Sequence, residues 1–424
     1  MKLLTVKNII FRPKNYVFII LIFFLCLACY SRIPFLQFQS HWDDQWVIHN
    51  WYTEGGFSIE NIKSIFVEYY HGQYSPVNQI YYTTLYFFWG YNPIAFHIGG
   101  LILHLINVFL VYKLILKSLV VLRLETSNNA MRIAFLTCSI FAVHPLLVEP
   151  TAWVSASKVL IYAIFYLLSL IMYLNYLNTT DRKYLVYTLI YFIVSFLAKE
   201  QAVTLPVTLL LLDYLFFSGM LNRKIWLIKM PFFCFSIIFG ILTMQSQAEY
   251  NQGILSDSLT YPLIYRICYA FYAMLEYTIK CLIPIGLSYH YYFPNTVTQP
   301  LPTMFFIYPI LIPFIIYGFW QQIKVRWITF GLFLFIINIV LVLHIIPIAR
   351  VAIIADRYVY VGSIGVFFLI SYCVNILLLK KTDYKIFVWI CLILYIGYLG
   401  CYTYSRVPYW YNSESLKKKI LTCR

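Results

Sequence analysis

The sequence alternates between long apolar runs and short polar breaks. The runs recur at roughly 20 residues, the length a helix needs to cross about 30 Å of hydrocarbon. They are continuous rather than alternating in hydrophobicity. Only helices or closed barrels satisfy the backbone inside lipid, so the pattern predicts helices. Runs at residues 15–35, 94–117, 132–148, 159–177, 184–198, 204–217, 231–244, 304–320, 327–344, 358–379 and 386–404 predict about 11 transmembrane helices. The runs 184–198 and 204–217 are short, which predicts tilt, local thinning or partial burial of the turn between them. Residues 78–89 are aromatic and predict an interfacial helix. Residues 261–285 carry Arg266, Glu276 and Lys280. A full crossing there would put the basic stretch 321–326 outside, so a surface or partly inserted helix on the outer side is expected.

Composition sharpens this picture. The chain has 424 residues, 62% hydrophobic and only 11% charged, which excludes an ordinary soluble domain. Residues 1–424 are expected to form one all-α polytopic membrane domain, with no soluble C-terminal domain and no strong internal repeat. The net charge of +15 would suggest nucleic acid in a soluble protein. Here Lys and Arg cluster in short loops, as cytoplasmic loops do, and no nucleic-acid partner is expected. Lys2, Lys7, Arg12 and Lys14 place the N-terminus in the cytoplasm. The first apolar run is long and lacks a small-residue cleavage site, so it reads as a retained span. The 10 Cys are scattered without CxxC or Cys/His spacing, and neither a zinc site nor a disulfide framework is expected.

This topology collects the unusual polar groups on one side. The loop at about 36–79 falls outside, with Asp43, Asp44 and His71 on it. His144, Glu149, Lys158, Lys199, Glu200, Asp356 and Arg357 fall at outer span ends. Ionisable residues at membrane depth are costly and usually mark a site. Some have plainer roles. His97, His104 and Asn107 share one helix face and fit helix–helix hydrogen bonding. His144-Pro145 fits a span terminus, and Asp213 fits pairing with basic loop residues. Asp43 and Asp44 are different, because Trp42 and Trp46 flank them, and aromatic flanks are not needed by a merely solvated carboxylate.

Carboxylates, a few cations and many aromatics suit sugar transfer from a lipid-phosphate donor. A carboxylate serves as general base for the acceptor hydroxyl. A guanidinium binds the leaving phosphate, and aromatic faces stack on sugars. A carboxylate pair also has the oxygen ligands for a divalent metal, Mg or Mn, although a lone pair of aspartates says little about metal.

Six ordered blocks then carry a family resemblance: WDDQWVIHN; YSPVNQIYYTTLYFFWGYNPIAFHIGGLILHLIN; FAVHPLLVEPTAWVSASK; LAKEQAVTLPVTLLLLDYL; ADRYVYVGSIG; and YWYNSESL. With them the chain resembles the GT-C membrane glycosyltransferases, closest to the transmembrane O-mannosyltransferases with tetratricopeptide tails and their bacterial relatives. The resemblance runs from about Asp43 to Leu416. Departures are the absent repeats, Gly100 in place of Asn, Val159 in place of Asp, and Asp356 in place of Glu.

The resemblance implies a GT-C fold and inverting transfer from a polyprenyl-phosphate-linked sugar on the non-cytoplasmic face. The acceptor would be a protein, pilin-like or otherwise secreted, or a glycolipid. It makes Asp43 the candidate general base, with Asp44 orienting the acceptor or supporting Asp43. Arg357 and Lys199 become the donor-phosphate candidates. His71, Tyr74, His144, Glu149, Lys158 and Glu200 would line the site. The absent repeats and bacterial-like blocks point to a bacterial inner membrane with the site facing the periplasm. Two other activities fit a many-span chain, an O-antigen-type polymerase and a lipid-linked-sugar flippase. The first expects Arg-rich outer loops. The second expects mid-membrane charges and paired repeats, and the charges here sit at span ends.

Overall fold

The structure, a computed structural model, describes residues 13–220, 222–251, 261–296, 299–345, 352–380 and 384–422. Lys2, Lys7 and Arg12, on which the orientation was argued, lie outside the described residues. The described residues form helices joined by short turns, and no strand occurs among them beyond an isolated Tyr70–Gln73 bridge. The protein is an all-α membrane protein.

In chain order, α1 is Pro13–Cys29 and the first loop holds α2 (Asp44–Val47), α3 (Trp51–Glu54), α4 (Ile59–Val67) and α5 (Pro76–Trp89). Then follow α6 (Pro93–Val121), α7 (Ser127–Val143), α8 (Val148–Ala152), α9 (Ser157–Thr179), α10 (Lys183–Ala198), α11 (Leu205–Phe216) and α12 (Arg223–Asn251). The C-terminal third contains α13 (Leu263–Leu282), α14 (Tyr308–Gly318), α15 (Trp320–Ile323), α16 (Arg326–Ile339), α17 (Ser363–Leu379), α18 (Lys385–Arg406) and α19 (Ser413–Thr422).

Helices α6, α7 and α9 form the centre. Helix α6 packs on both of the others, α10 packs on α9, and α17 packs on α7 and α16. Lipid supplies no hydrophobic drive between helices, so packing and interhelical hydrogen bonds hold them. Tyr360 bonds His104 Nδ1 at 2.8 Å, and Asn107 donates to the Leu160 carbonyl at 2.9 Å. His97 Nε2 sits 3.4 Å from the Gln37 carbonyl. The face of α6 that carries His97, His104 and Asn107 is therefore a packing face. Helix α18 packs on α1, α7 and α17 at the edge of the bundle and exposes Ile386, Phe387, Ile393 and Leu394 on its outer face.

A helix forms at each of the predicted runs, but the helices differ in reach. Five are long and apolar enough to cross a membrane, and the bent pair α7–α8 makes a sixth if it counts as one span. Helices α10, α14, α16 and α17 are apolar but shorter. Helix α11 has 12 residues, about 18 Å long at 1.5 Å per residue. A short turn, Glu200–Thr204, leads into it with Gln201, Ala202 and Thr204 buried. Helix α13 spans 20 residues yet does not qualify as a crossing. It packs on α14 and α17 and leaves Leu263, Ile264, Ile279 and Leu282 exposed.

The two ends of the bundle differ in charge. At one, the basic end, Arg326 donates to the Leu122 carbonyl at 2.8 Å and to the Leu215 carbonyl, capping the C-termini of α6 and α11. The other, the loop end, carries residues 36–79. Toward the basic end, Asp213 is buried and pairs with Lys229 at 2.6 Å, with Tyr173 bonded to the same carboxylate. The partner expected from a basic loop is instead a lysine inside α12. A buried pair broken on one side leaves an uncompensated charge, costing about 3–5 kcal/mol. Asp213→Ala is therefore expected to lower the thermal unfolding midpoint in nanodiscs sharply, with a stability loss in that range.

Candidate active site at the loop end

Pro145 lacks an amide hydrogen and stops α7, and the chain turns by 55° into α8. His144 ends the helix. Its Nδ1 accepts from the Leu146 amide at 3.3 Å and its ring packs on Phe367 at 4.6 Å. The bend carries residues 145–157 inward under the first loop. Gly100 permits the close approach, because a Cβ there would stand 2.9 Å from the Thr151 carbonyl oxygen. The departure to Gly at 100 thus has a packing reason. Val159, the second helix departure, is fully buried, where a carboxylate would need a partner.

A cavity of about 340 Å³ opens between this segment and the loop. Asp43, His71, Tyr74, Lys158, Lys199, Glu200 and Arg357 line it, drawn from four separate stretches of chain. Gln73, Trp153, Ser155, Thr243, Gln247 and Tyr358 complete the wall, and sequence reading did not single them out. Thr243 and Gln247 had one available signal, an i,i+4 polar pair at the point where an apolar run gives way to polar sequence. His71 stacks on Trp46 at 4.8 Å, and the Tyr74 hydroxyl donates to the Phe66 carbonyl at 2.9 Å.

Asp43 and Asp44 part company. Consecutive helical positions point about 100° apart. Asp43 stands at the residue before α2, makes no side-chain capping bond and lines the cavity, whereas Asp44 is fully buried. The Asp44 carboxylate accepts from the Gln39 amide at 2.8 Å, the Ser155 amide at 3.1 Å and the Ser155 hydroxyl. It fastens the loop to the segment that forms the cavity floor. The Trp flanks do similar work: Trp42 meets Tyr289 edge-on at 5.8 Å, and Trp46 covers His71.

Glu149 and His144, expected to line the site, lie behind it. Glu149 is fully buried, accepts from the Arg357 amide at 3.0 Å and pairs with its guanidinium. Arg357 is thereby fixed between Trp153, 5.2 Å from its ring centre, and Tyr358, at 4.8 Å. Its neighbour Asp356 turns away and pairs with buried Arg406 at 2.6 Å. Arg406 also donates to the Pro145 carbonyl at 2.7 Å, which holds the bend. Its signal in sequence was a basic residue at a span end where the charge rule expects few. The C-terminal stretch closes the structure, as Gln39 donates to the Trp410 carbonyl at 2.8 Å and Trp410 stacks on Trp153 at 5.5 Å.

Burial pushes the Asp43 carboxyl above its ordinary range, and Lys158, Arg357 and Trp46 only partly offset this. Burial likewise raises Asp44, against the hydrogen bonds from Ser155 and Gln39. For Glu200 burial also opposes the charge, but Lys199 and Lys158 outweigh it and hold its carboxyl down at about 2. The residues do not fit a divalent metal. Both Asp44 oxygens are taken by protein donors, cations stand beside Asp43, and no group of three or more His, Cys, Asp or Glu able to hold a metal occurs among the described residues.

Removing the Asp44 charge should therefore unsettle the fold, and removing that of Asp43 should not. Asp44→Asn loses charge-assisted bonds and is expected to cost at least about 2 kcal/mol. Asp43→Asn is expected to match the parent in unfolding midpoint, and side-by-side melts in nanodiscs read the difference. Set against known proteins, the chain matches no family model and no curated sequence.

Proposed function

We propose that the protein is a membrane glycosyltransferase of the GT-C type. It moves a sugar from a polyprenyl-phosphate-linked donor to a protein or glycolipid hydroxyl, with inversion, on the periplasmic face of a bacterial inner membrane. In this reading about 11 helices cross, the short ones tilted or capped by buried turns. One observation carries it: a single cavity joins the Asp43 carboxylate to three cations, Lys158, Lys199 and Arg357, while its other carboxylate, Glu200, is paired with Lys199.

Asp43 takes the acceptor's proton as the hydroxyl attacks the anomeric carbon. The bond from that carbon to the phosphate oxygen breaks, and the electron pair leaves with the phosphate. The cations stabilise that developing charge in a half-enclosed site, where electrostatics is strong. Attack opposite the leaving group inverts the anomeric centre. The raised carboxyl of Asp43 makes it a better proton acceptor than an exposed aspartate. The wall formed by Thr243 and Gln247 belongs to α12, whose other face exposes Ile237, Ile238, Ile241 and Met244. That face suits the prenyl tail.

Asp43→Asn is expected to abolish sugar transfer, read as product glycan by mass spectrometry, while the protein stays folded. Near-normal transfer would remove Asp43 from the role of base. The pH profile gives a second expectation. The base works as carboxylate, so transfer is present above its folded pKa and falls as pH drops through it. Because burial raises that pKa, the acid limb should lie above the value of about 3.9 for an ordinary aspartate.

A further inference from the structure

The three cations of the cavity are not equivalent. Arg357 is bound to the buried carboxylate of Glu149 through both its guanidinium and its backbone amide. Lys199 pairs with Glu200 at 3.1 Å. Lys158 instead donates to a neutral group, the Gln73 side-chain carbonyl, at 2.6 Å. Among the described residues no carboxylate stands within ion-pair distance of Lys158.

The position of Lys158 is costly without an anion. It is the second residue of the 23-residue helix α9, whose N-terminus faces the cavity through Ala156 and Lys158. A helix N-terminus carries partial positive charge and disfavours a lysine. Asp43 and Glu200 act on it only from beyond ion-pair distance, and a residue that breaks a local rule without a direct ion pair points to a functional position. A phosphate placed there would meet both the ammonium and the helix end.

Gln73 is held to its post by the backbone. Tyr70 and Gln73 exchange hydrogen bonds of 3.1 and 3.0 Å across a two-residue turn. Its central residues, His71 and Gly72, both have positive φ, 48° and 70°. Such a turn fixes its flanking residues closely. Gln73 also lines a second, smaller pocket with Trp46, Tyr52, Tyr70 and Gln79, and it stands in the wall between the two.

We propose that Lys158 is the residue that takes the donor's phosphate, and that the Gln73 side-chain carbonyl keeps its place until the phosphate arrives. Lys199 and Arg357 then frame the site, each already neutralised by its own carboxylate. This rests on the glycosyltransferase reading for the identity of the lipid, and replaces Arg357 and Lys199 with Lys158 as the primary phosphate ligand. Gln73 is a positioning residue acting through Lys158.

The test uses the full chain in phosphatidylcholine nanodiscs, titrated with farnesyl phosphate, farnesol and inorganic phosphate. The parent should bind farnesyl phosphate about tenfold or more tightly than farnesol. Inorganic phosphate should compete weakly, which separates a prenyl phosphate from the bare ion. Lys158→Met should erase the preference and Lys158→Arg should keep it. Gln73→Glu supplies the missing carboxylate and should weaken farnesyl phosphate by about tenfold. If Lys158→Met or Gln73→Glu binds like the parent, the assignment to Lys158 is wrong while the donor site stands. If the parent itself does not distinguish farnesyl phosphate from farnesol, the donor-site reading falls, and the assignment with it.

Discussion

The fully buried carboxylate of Glu149 governs the geometry of the loop end. It cannot remain charged inside the bundle without a partner, and Arg357 supplies one through side chain and backbone. That contact ties the turn before α17 to the bent segment between α7 and α9. Next to it, Asp356 and Arg406 form a second buried pair, and Arg406 reaches the Pro145 carbonyl at the bend. Two adjacent residues, 356 and 357, thus clamp α8 from both sides. The cavity floor, Trp153 to Lys158, hangs from this clamp.

The first loop is fastened to the same floor by a third buried carboxylate. Asp44 accepts from Ser155 and Gln39, and Gln39 in turn holds the Trp410 carbonyl. The paired aspartates thereby divide the work that one cannot do alone. One is spent on structure so that its neighbour can face the cavity. Burial of the loop end has an electrostatic consequence as well. Charges that would be screened in water act on one another here, as Lys158 and Arg357 do on Asp43.

Much of this was legible in the sequence for a simple reason. In a chain only 11% charged, each ionisable residue outside the basic loops stands out. Asp43, Lys158, Lys199, Glu200 and Arg357 were found that way, and the structure brings them to one cavity. What sequence could not resolve was the direction each side chain faces. Glu149 and His144 lie behind the wall, and Asp44 points into the floor, because a single helical step turns a side chain through about 100°. Gln73 carried no signal, since its place depends on a tight turn and a contact with residue 158 across 85 positions. The reach of the helices was also hidden. The apolar run 358–379, for example, opens on a short turn that hydropathy counts as span, and α17 begins only at Ser363.

The most direct test of the account is glycan and lipid mass spectrometry of cells from which the gene has been deleted. The account predicts that one sugar disappears from surface proteins or glycolipids, and that its polyprenyl-phosphate form builds up on the outer leaflet. Unchanged surface glycans, or build-up of the lipid-linked sugar on the cytoplasmic leaflet instead, would contradict it.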